Sequence, residues 1–578
     1  MFKRHSTRLF EQEEVFNEDY WLKYVDNYQD MSDSVHSSRG ILSYNTKRYT
    51  SMSTAVGLVA KYFEQCQLPV PSVNQIIALL KSPFTQGDVL KTFHLIRFYQ
   101  LGSQGFFMTN SSIDKFNGVI RYAGAENWGN VMCYLDALLF AMFLNLESFE
   151  PILFISNQYS HSEPELVNQL AALLRVYVSL MRSGNLITTD LTIALCKNLA
   201  KLGFTDAVSL AQQDSASLFE FLTETLCMPL LTFKVDIEHG GKFSKDDDKK
   251  ISKERILFVS LPEDDLAEVE DGNSAKSNVD DENSGLELQK TSSGPYGEDE
   301  ILLEECLEHY FNNSINVRRE LERRATLDSA RPALSDLIPE YGEVTVSESV
   351  DTKNDDDKIN LRSNSKTAPK VGIRARSSTL SIWSVSDEKP TTSKEVSLPA
   401  WMFLKLLPFY TDDNDIDGTA RNSKEFVNRR PILPICLKRY SFDSSTSKAN
   451  RSGKRVIIPP VIELPQFVAD DEGPVENFKL ILESAVCHRG SSITLGHFIS
   501  VSRKDCHNVD ITEKEAADAT WYLFDDTNVK ARITEKTFKE IFDKEWPYML
   551  FYRLVSNDDE NTSVSVLPPE GSKSKYWQ

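Results

Sequence analysis

Three residues of the types that carry out thiol-dependent hydrolysis occur in order along the chain. Cys133 follows a turn containing glycine and asparagine and opens the apolar segment CYLDALLFAMF. A helix beginning there would place the sulfur at the positive end of the helix dipole, which favours a thiolate. His497 follows Gly496 in a strand-like stretch, and Asp525 ends the aromatic stretch WYLF. Because a cysteine nucleophile needs a histidine to take its proton and a third group to orient that histidine, this order predicts a Cys–His–Asp triad.

The elements that must position these residues divide into a helical half and a β half. Apolar residues at three- and four-residue spacing predict helices before Pro229, and alternation of apolar and polar residues predicts strands after it. The predicted helices of this part include CYLDALLFAMFLNL, PELVNQLAALLRVYVSLMRS, LTIALCKNLAKLG and SASLFEFLTETLCM. Helices followed by strands, without regular βαβ alternation, predict an α+β architecture and argue against a Rossmann-type fold.

The N-terminal part of the chain reads as two segments. Residues 1–50 are polar and predict a disordered N-terminus. Residues 51–105 have helical periodicity and predict a small module of about three helices, with Asp88 as an N-cap. Two interpretations of this module stay open, namely an independent binding module and a helical extension packed on the main domain.

The main domain is predicted to span residues 119–557, followed by a polar tail over 558–578. Residues 263–300 are acidic, and residues 328–398 are rich in Ser, Thr, Asp and Lys. Both stretches predict disordered insertions, because they bury too little apolar surface to offset the entropy of ordering them.

Charge and cysteine usage restrict the classes of partner and compartment. The net charge of −21 argues against nucleic acid or an anionic membrane as the main partner. Eight cysteines without any C-x-x-C pair predict reduced thiols, and hence a cytoplasmic or nuclear protein. The N-terminus has no apolar core typical of a secretory signal, and the run ALLFAMFLNL is much shorter than the ~20 residues of a membrane span. We therefore expect no membrane insertion.

Four blocks of the sequence resemble the ubiquitin-specific proteases, which are papain-like cysteine peptidases that remove ubiquitin. The blocks occur in the family's order within residues 119–555 and read NWGNVMCYLDALL, QQDSASLFEFLTETL, LPICLKRYSFD, and AVCHRGSSITLGHFISV with WYLFDDTNV. The tetrapeptide C-Y-L-D is similar to the nucleophile motif of the cylindromatosis branch. The resemblance implies a papain-like fold with a helical thumb and a β-rich palm and fingers.

The resemblance also implies a role for each residue of the candidate triad. Cys133 would be the nucleophile, His497 the general base and Asp525 the group that orients the imidazole. His488 matches a second, non-catalytic histidine of the family, because the family's catalytic histidine follows a glycine. Asp526 matches a second acidic residue that supports the oxyanion site or Asp525.

The oxyanion donor is less direct, because NWGNVMC is one residue longer than the family's N-x-G-N-T-C. Either a bulge restores Asn127 to the family's position, which we prefer, or Asn130 takes the role. Asp136 stands where the family has asparagine after C-Y-x, so hydrogen bonding at the start of the cysteine helix is expected to differ.

Four further residues are predicted to contact substrate. In the family, Gln213 and Asp214 would contact ubiquitin or brace the cysteine helix, and Asp214 is a candidate to hold the basic tail. Gly496 would leave room for a substrate backbone, and Trp521 would wall a narrow cleft. The family's fingers often bind zinc through two C-x-x-C pairs, which are absent from this sequence, so we expect neither metal nor cofactor.

The predicted function is that of a deubiquitinase, which hydrolyses the bond after the C-terminal glycine of ubiquitin. The alternatives are a weak or inactive ubiquitin-binding scaffold and a protease for another ubiquitin-like modifier. The expected partners are ubiquitin and ubiquitinated proteins. Arginines precede the hydroxyl residues Thr326, Ser377 and Ser378, which predicts regulation by basophilic kinases.

Overall fold

The protein is described here by a computed structural model, which forms two compact units. The larger unit comprises residues 1–233, 252–308 and 405–578, and the smaller comprises residues 234–251 and 309–404. The structure describes residues 51–114, 120–154, 163–241, 243–261, 300–320, 395–411, 426, 429–443, 448–463, 467–469, 478–492, 495–506 and 511–556.

Several sequence predictions fall outside these described residues. They are the N-terminus over 1–50, the tail over 558–578, the insertions apart from Glu300 and 395–398, and the three candidate phosphorylation sites. The predicted domain boundaries therefore stay predictions.

Helices dominate the first half of the described chain, as the apolar periodicity predicts. They are α1 (Met52–Gln65), α2 (Val73–Leu80), α3 (Val89–Ser103), α4 (Asn110–Asp114), α5 (Cys133–Phe143), α6 (Pro164–Arg182), α7 (Thr189–Leu202) and α8 (Ser215–Thr225). Short 3₁₀ turns cover Trp128–Asn130, Glu150–Leu153 and Thr205–Val208. The four helices predicted between Cys133 and Met228 are confirmed.

The N-terminal helices begin at side-chain caps that the sequence supplies. Asp88 Oδ1 accepts the Lys91 N–H at 2.9 Å, which confirms the predicted N-cap of α3. Ser72 and Gln75 form a reciprocal capping box at the start of α2. Helices α1 to α3 share a small apolar core, and α3 packs against α6 in the same compact unit.

Helix α5 is the centre of the larger unit. All of its residues are buried, from Cys133 to Phe143. A helix that is apolar on every side is stable only when other elements surround it completely. Helix α5 packs against the two long strands that follow later in the chain, and the Phe140 ring stacks on Phe524 at 4.2 Å with the planes 4° apart.

The β half supplies the strands of the larger unit. They are β3 (Leu257–Ser260), β4 (Glu300–Leu302), β7 (Ile432–Lys438), β8 (Tyr440–Asp443), β9 (Lys448–Arg451), β10 (Arg455–Ile457), β11 (Val461–Glu463), β12 (Phe478–Ser492), β13 (Leu495–Arg503), β14 (Thr520–Phe524), β15 (Ile533–Thr537) and β16 (Pro547–Ser556). The main sheet has eight strands in the order β15-β14-β13-β12-β16-β7-β3, with β11 paired to β12. Its pairs are antiparallel except β3 with β7, so it is not the sheet of a Rossmann-type fold.

The smaller unit is built on a second sheet of four strands in the order β2-β1-β6-β5. The strands are β1 (Leu231–His239), β2 (Lys249–Glu254), β5 (Asn312–Glu320) and β6 (Glu395–Leu406).

The remaining helices of the described chain are α9 (Lys245–Asp248), α10 (Leu303–Phe311), α11 (Glu513–Asp518) and α12 (Phe538–Phe542). Helices before strands confirm the predicted α+β class. Within the described part of the chain, no helix combines the length and apolar character that crossing a membrane requires.

Arg182, at the last position of α6, joins four segments inside the larger unit. Its side chain is fully buried, and Nη1 lies 2.5 Å from Glu150 Oε1. It also donates to the backbone carbonyl oxygens of Phe143, Met108 and Leu146, at 2.8, 2.9 and 3.1 Å. The guanidinium therefore ties the end of α5 to the chain that leads in from the N-terminal helices.

Replacing Arg182 with methionine is expected to lower the free energy of unfolding by about 3–5 kcal/mol, because Glu150 keeps a buried charge without its cation. Chemical denaturation of the full chain measures this loss. Lys201→Met, at an exposed position of α7, is the matched control and is expected to change stability by less than about 0.5 kcal/mol. Equal losses in the two variants would contradict the assigned role of Arg182.

Candidate functional site

The turn before Cys133 determines where the thiol lies. Gly129 and Asn130 both have left-handed backbone conformations, with φ of 65° and 59°. These two residues close a tight turn over Trp128–Asn130, and α5 then begins at Cys133. The turn thus accommodates the additional residue of NWGNVMC. The Cys133 residue is 2 % exposed, at the positive end of a buried helix.

Asn127 is held by the same turn. Its Oδ1 accepts the Met132 N–H at 2.8 Å. Since a backbone N–H can only donate, the carbonyl oxygen of the amide faces Met132, and the amide nitrogen remains as a donor on the other side. Asn130 is exposed at the surface of the turn. This geometry favours Asn127 over Asn130 as the oxyanion donor.

Adjacent strands bring His497 and Asp525 together. Strands β13 and β14 pair antiparallel with Ser500 opposite Phe524, so Asp525 lies beside the start of β13. His497 Nε2 is 3.0 Å from Asp525 Oδ1, which also accepts the Thr527 N–H at 3.1 Å. With Nε2 engaged, Nδ1 is the ring nitrogen left for Cys133, and an interaction with the Cys133 thiol contributes to the raised pKa of this histidine.

A guanidinium that the sequence analysis missed supports Asp525 from the other side. Arg489 Nη1 donates to Asp525 Oδ2 at 2.7 Å, and Nε and Nη2 bind the two oxygens of Glu545 at 2.7 and 2.5 Å. Arg489 lies directly opposite His497 in the pairing of β12 with β13. A charged residue inside the apolar strand FKLILESAVCHRG was the available signal.

These contacts set the charges of the site. Burial alone would lower the pKa of His497, but its hydrogen bonds to Asp525 and Cys133 outweigh burial and raise it to about 10. Burial likewise opposes ionisation of Asp525, yet hydrogen bonds from His497, Thr527 and Arg489 hold the pKa of its carboxyl well below the usual range. At neutral pH the site therefore holds an imidazolium against a carboxylate, and an imidazolium stabilises a neighbouring thiolate.

Asp526 lies on the inner side of the same turn. It is 4 % exposed, and its Oδ1 is 3.5 Å from His497 Nε2. Burial raises the pKa of Asp526 to about 6, while nearby His497 and the Asn127 amide favour its ionised form. Among the described residues, no hydrogen bond of standard geometry reaches either carboxylate oxygen.

Asp136 occupies the position at which the sequence analysis expects altered hydrogen bonding. It is fully buried in the first turn of α5, and its Oδ1 accepts the Tyr177 hydroxyl at 2.9 Å. Its Oδ2 has no hydrogen-bond partner among the described residues. Burial raises the pKa of Asp136 well above its usual value, and the charge of Asp526 adds to the effect. Burial thus favours the neutral form of Asp136, which resembles the asparagine of the family motif.

The structure gives two of the predicted substrate residues partners within the chain. Asp214 is the N-cap of α8 and accepts hydrogen bonds from Ala216 N at 3.0 Å and the Tyr548 hydroxyl at 2.7 Å. Gln213 donates to Ser209 Oγ at 3.2 Å. These bonds do not reach α5, whereas the next residue, Ser215, donates to the Tyr134 carbonyl oxygen of α5 at 3.1 Å. Both predicted roles of Gln213 and Asp214 stay predictions.

The predicted role of Trp521 as a wall of the cleft is wrong. Its side chain is 0 % exposed and packs against Phe538 and Phe542 of α12, with ring centroids 5.8 and 5.9 Å apart. The next residue, Tyr522, is half-buried and meets Tyr122 edge to face at 5.2 Å. Alternation along β14 thus directs the tryptophan into the core.

The neighbouring strand requires glycine at position 496, which was not predicted from the sequence. A Cβ at this position would collide with the Arg489 carbonyl oxygen and lie 2.6 Å from His488 Nε2. The neighbouring strand β12, rather than substrate alone, therefore requires glycine beside the candidate base. His488 itself is buried, and its ring packs on Phe498 with the ring centroids 4.4 Å apart.

His497, Asp525 and Asp526 also present one imidazole and two carboxylates that a divalent cation can use. Asp525 already pairs with the Arg489 guanidinium, which places a positive charge where a cation would bind. The arrangement is better suited to holding a protonated imidazole than to holding a metal ion, and the absence of a metal stays a prediction.

Comparison with solved structures gives distant similarities. The SAGA Ubp8/Sgf11/Sus1/Sgf73 DUB module bound to ubiquitin aldehyde has 12 % sequence identity and a TM-score of 0.38, and the match covers 75 % of this chain and 69 % of that one. A yeast SAGA DUB module with a mutant Sgf73 has 11 % identity and a TM-score of 0.35, with 75 % and 68 % covered. A search of the curated proteins found no match.

A family model decides the membership of the chain. The model described as ubiquitin carboxyl-terminal hydrolase matches residues 123–552, which include Cys133, His497 and Asp525. This chain belongs to the ubiquitin carboxyl-terminal hydrolase family. It is a cysteine-type deubiquitinase, and the predicted peptidase fold and enzyme class are confirmed at that level.

Asp136→Asn tests the neutral state of this carboxyl in the hydrolase. Because the folded-state pKa is raised above the unfolded value, the stability contributed by the wild-type carboxyl is present at low pH and is lost as pH rises from about 4 towards the folded-state pKa. The variant lacks this loss, so its stability relative to wild type is expected to rise with pH over that range, by at most about 1.4 kcal/mol per pH unit. Chemical denaturation between pH 5 and 8 measures the difference.

The exposed Asp518→Asn is the matched control, and its stability relative to wild type is expected to be constant over this range. A difference for Asp136→Asn that does not change with pH would mean that Asp136 is ionised in the folded protein.

Proposed function

We propose that Cys133 attacks the carbonyl carbon of the C-terminal glycine of ubiquitin in an isopeptide or peptide bond. The observation that carries this proposal is the convergence of Cys133, His497 and Asp525 from one helix and two strand ends. The Cys133 sulfur forms a thioester with the glycine, and the bond to the leaving amine breaks. Water then attacks the thioester and releases ubiquitin with a free carboxylate.

His497 moves the proton in both halves of this reaction. It holds the proton of Cys133 as an imidazolium, donates it to the leaving lysine amine, and then takes a proton from the attacking water. Asp525 keeps the ring oriented through the 3.0 Å bond to Nε2, and Arg489 fixes the second oxygen of that carboxylate. The orienting group is therefore itself held at both oxygens.

The negative charge on the tetrahedral intermediate needs donors that are in place beforehand. We assign this role to the Asn127 amide nitrogen and the Cys133 backbone N–H. Two features support Asn127. The Met132 N–H fixes the oxygen of its amide, and Asp526 faces the amide from the turn after β14. Asp526 thus acts as a positioning residue for Asn127.

The finer features of the function are part of this proposal. They are membership in the ubiquitin-specific proteases with the nucleophile motif of the cylindromatosis branch, action on ubiquitinated proteins in the cytoplasm or nucleus, and kinase regulation at Thr326, Ser377 and Ser378. The C-Y-L-D tetrapeptide and the arginines before the hydroxyl residues support them.

A ubiquitin with an electrophilic C-terminus tests the nucleophile. Wild type is expected to gain the mass of one ubiquitin, while Cys133→Ala gains none, because the adduct forms on the Cys133 sulfur. Intact-protein mass spectrometry measures the adduct, and Cys227→Ala, at the exposed cysteine after α8, is the control that retains it. Ubiquitin binding without an adduct would support the alternative of a ubiquitin-binding scaffold. An adduct that forms only with another ubiquitin-like modifier would support the alternative of a protease for that modifier.

Variants of the two candidate asparagines test which of them is the oxyanion donor. Asn127→Ala is expected to lower kcat by about 10²–10³-fold with little change in KM, because the lost donor acts on the transition state. Asn130→Ala, at the exposed position, is expected to retain kcat. Hydrolysis of a fluorogenic ubiquitin conjugate measures both.

Asn127→Asp keeps the acceptor for Met132 but removes the amide donor, so it is expected to lose activity. Its carboxyl group would face Asp526, and chemical denaturation measures the stability lost by placing the two acidic groups together. Full activity in Asn127→Asp, or a loss in Asn130→Ala alone, would refute the assignment.

A further inference from the structure

A buried cation without hydrogen-bond partners lies in the main sheet, outside the candidate site. Arg503 ends β13 and its side chain is 0 % exposed. Its Nε, Nη1 and Nη2 have no hydrogen bond to any residue that the structure describes. Its Nη2 forms an ion pair with Glu483 Oε1 at 3.9 Å, which is too long for a hydrogen bond. An arginine in this position carries its charge and five donors into the interior.

A second unpaired donor lies beside it. Trp521 is directly opposite Arg503 in the antiparallel pairing of β13 with β14, so both side chains project from the same face of the sheet. The Trp521 side chain is fully buried, and its indole Nε1 also has no partner among the described residues. Two neighbouring side chains thus present only donors to one region of the core.

The surrounding charges do not neutralise Arg503. Glu483 Oε1 is shared between two cations, since it lies 2.8 Å from Arg553 Nε and 3.9 Å from Arg503 Nη2, and it has no hydrogen bond of standard geometry to any described residue. Arg553 Nη2 donates to the Cys506 carbonyl oxygen at 2.7 Å. Burial raises the pKa of Cys506 to about 12, so its thiol supplies no negative charge at neutral pH. Among the described residues, this cluster has two guanidiniums and one carboxylate, which leaves an excess positive charge, and a buried charge that is neutralised only in part is costly.

We propose that a small monovalent inorganic anion, of the size of chloride, binds between the Arg503 guanidinium and the Trp521 indole N–H. The anion accepts from both donors and neutralises the cluster of Glu483, Arg503 and Arg553. It also connects β13, which carries His497, to β14, which ends at Asp525. This site is separate from the catalytic chemistry, and it does not depend on the proposed function.

Thermal unfolding of the full chain at constant ionic strength, with chloride replacing gluconate, tests the site. The unfolding midpoint of wild type is expected to rise by about 2 °C or more over a hundredfold increase in chloride, because an anion that binds only the folded state stabilises it. In crystals soaked with bromide, an anomalous peak is expected adjacent to Arg503 and Trp521.

Variants distinguish this site from general salt effects. Arg503→Met removes the charge and is expected to lose the dependence on chloride, and Trp521→Phe removes one donor and is expected to weaken it. Lys504→Met, which removes the adjacent exposed cation, is the matched control and keeps the full dependence. If Arg503→Met does not fold, the chloride response of Trp521→Phe and the bromide peak decide whether the anion site exists.

Three results would overturn the proposal. They are a wild-type midpoint that is the same in chloride and gluconate, an equal chloride response in Arg503→Met, and water rather than bromide density beside Arg503.

Discussion

The complete burial of helix α5 is the constraint on which the candidate site depends. Because every side of this helix contacts other parts of the chain, its first residue has no freedom to move away from the strands. The Phe140–Phe524 stack and the hydrogen bond from Ser484 to the Ala141 carbonyl oxygen attach the helix to β14 and β12. The thiol and the residues that orient the imidazole therefore share one packed core, although the sequence separates them by more than three hundred and fifty residues.

Electrostatic interactions, in addition to packing, hold the residues of the candidate site in place. Asp525 stays ionised because Arg489 and His497 surround it, and Arg489 stays in place because Glu545 binds its other edge. Burial raises the pKa of Asp526 to about 6, which still leaves it mainly ionised at neutral pH, and burial favours the neutral form of Asp136. The imidazole therefore faces the carboxylate of Asp525 directly and that of Asp526 at a longer distance.

The sequence was sufficient for the features that follow local rules. Periodicity located the helices between Cys133 and Met228, and the Asp88 cap was visible from its position before an apolar run. Residue type and order were enough to select Cys133, His497 and Asp525, which the fold brings together. The short helices α11 and α12 were missed because helices of that length contain too few residues to show a period.

Features that arise from strand pairing were not accessible from the sequence. Arg489 reaches Asp525 only because β12 pairs with β13 in one particular register, and no local pattern specifies that register. The error at Trp521 has the same origin, since a single-residue difference in the assumed face of β14 exchanges a cleft wall for a core residue. Asn127 was preferred over Asn130, but the left-handed turn that supports this choice depends on backbone geometry at Gly129 and Asn130.

The tight space around Gly496 means that a Gly-His pair in a related sequence indicates the fold and does not by itself indicate catalytic activity. The atoms that exclude a side chain there belong to His488 and Arg489 of the neighbouring strand. A relative that had lost its nucleophile would still need this glycine for β12 and β13 to pair. The glycine is therefore a marker of inherited architecture, and a catalytically silent descendant would retain it for as long as it folds.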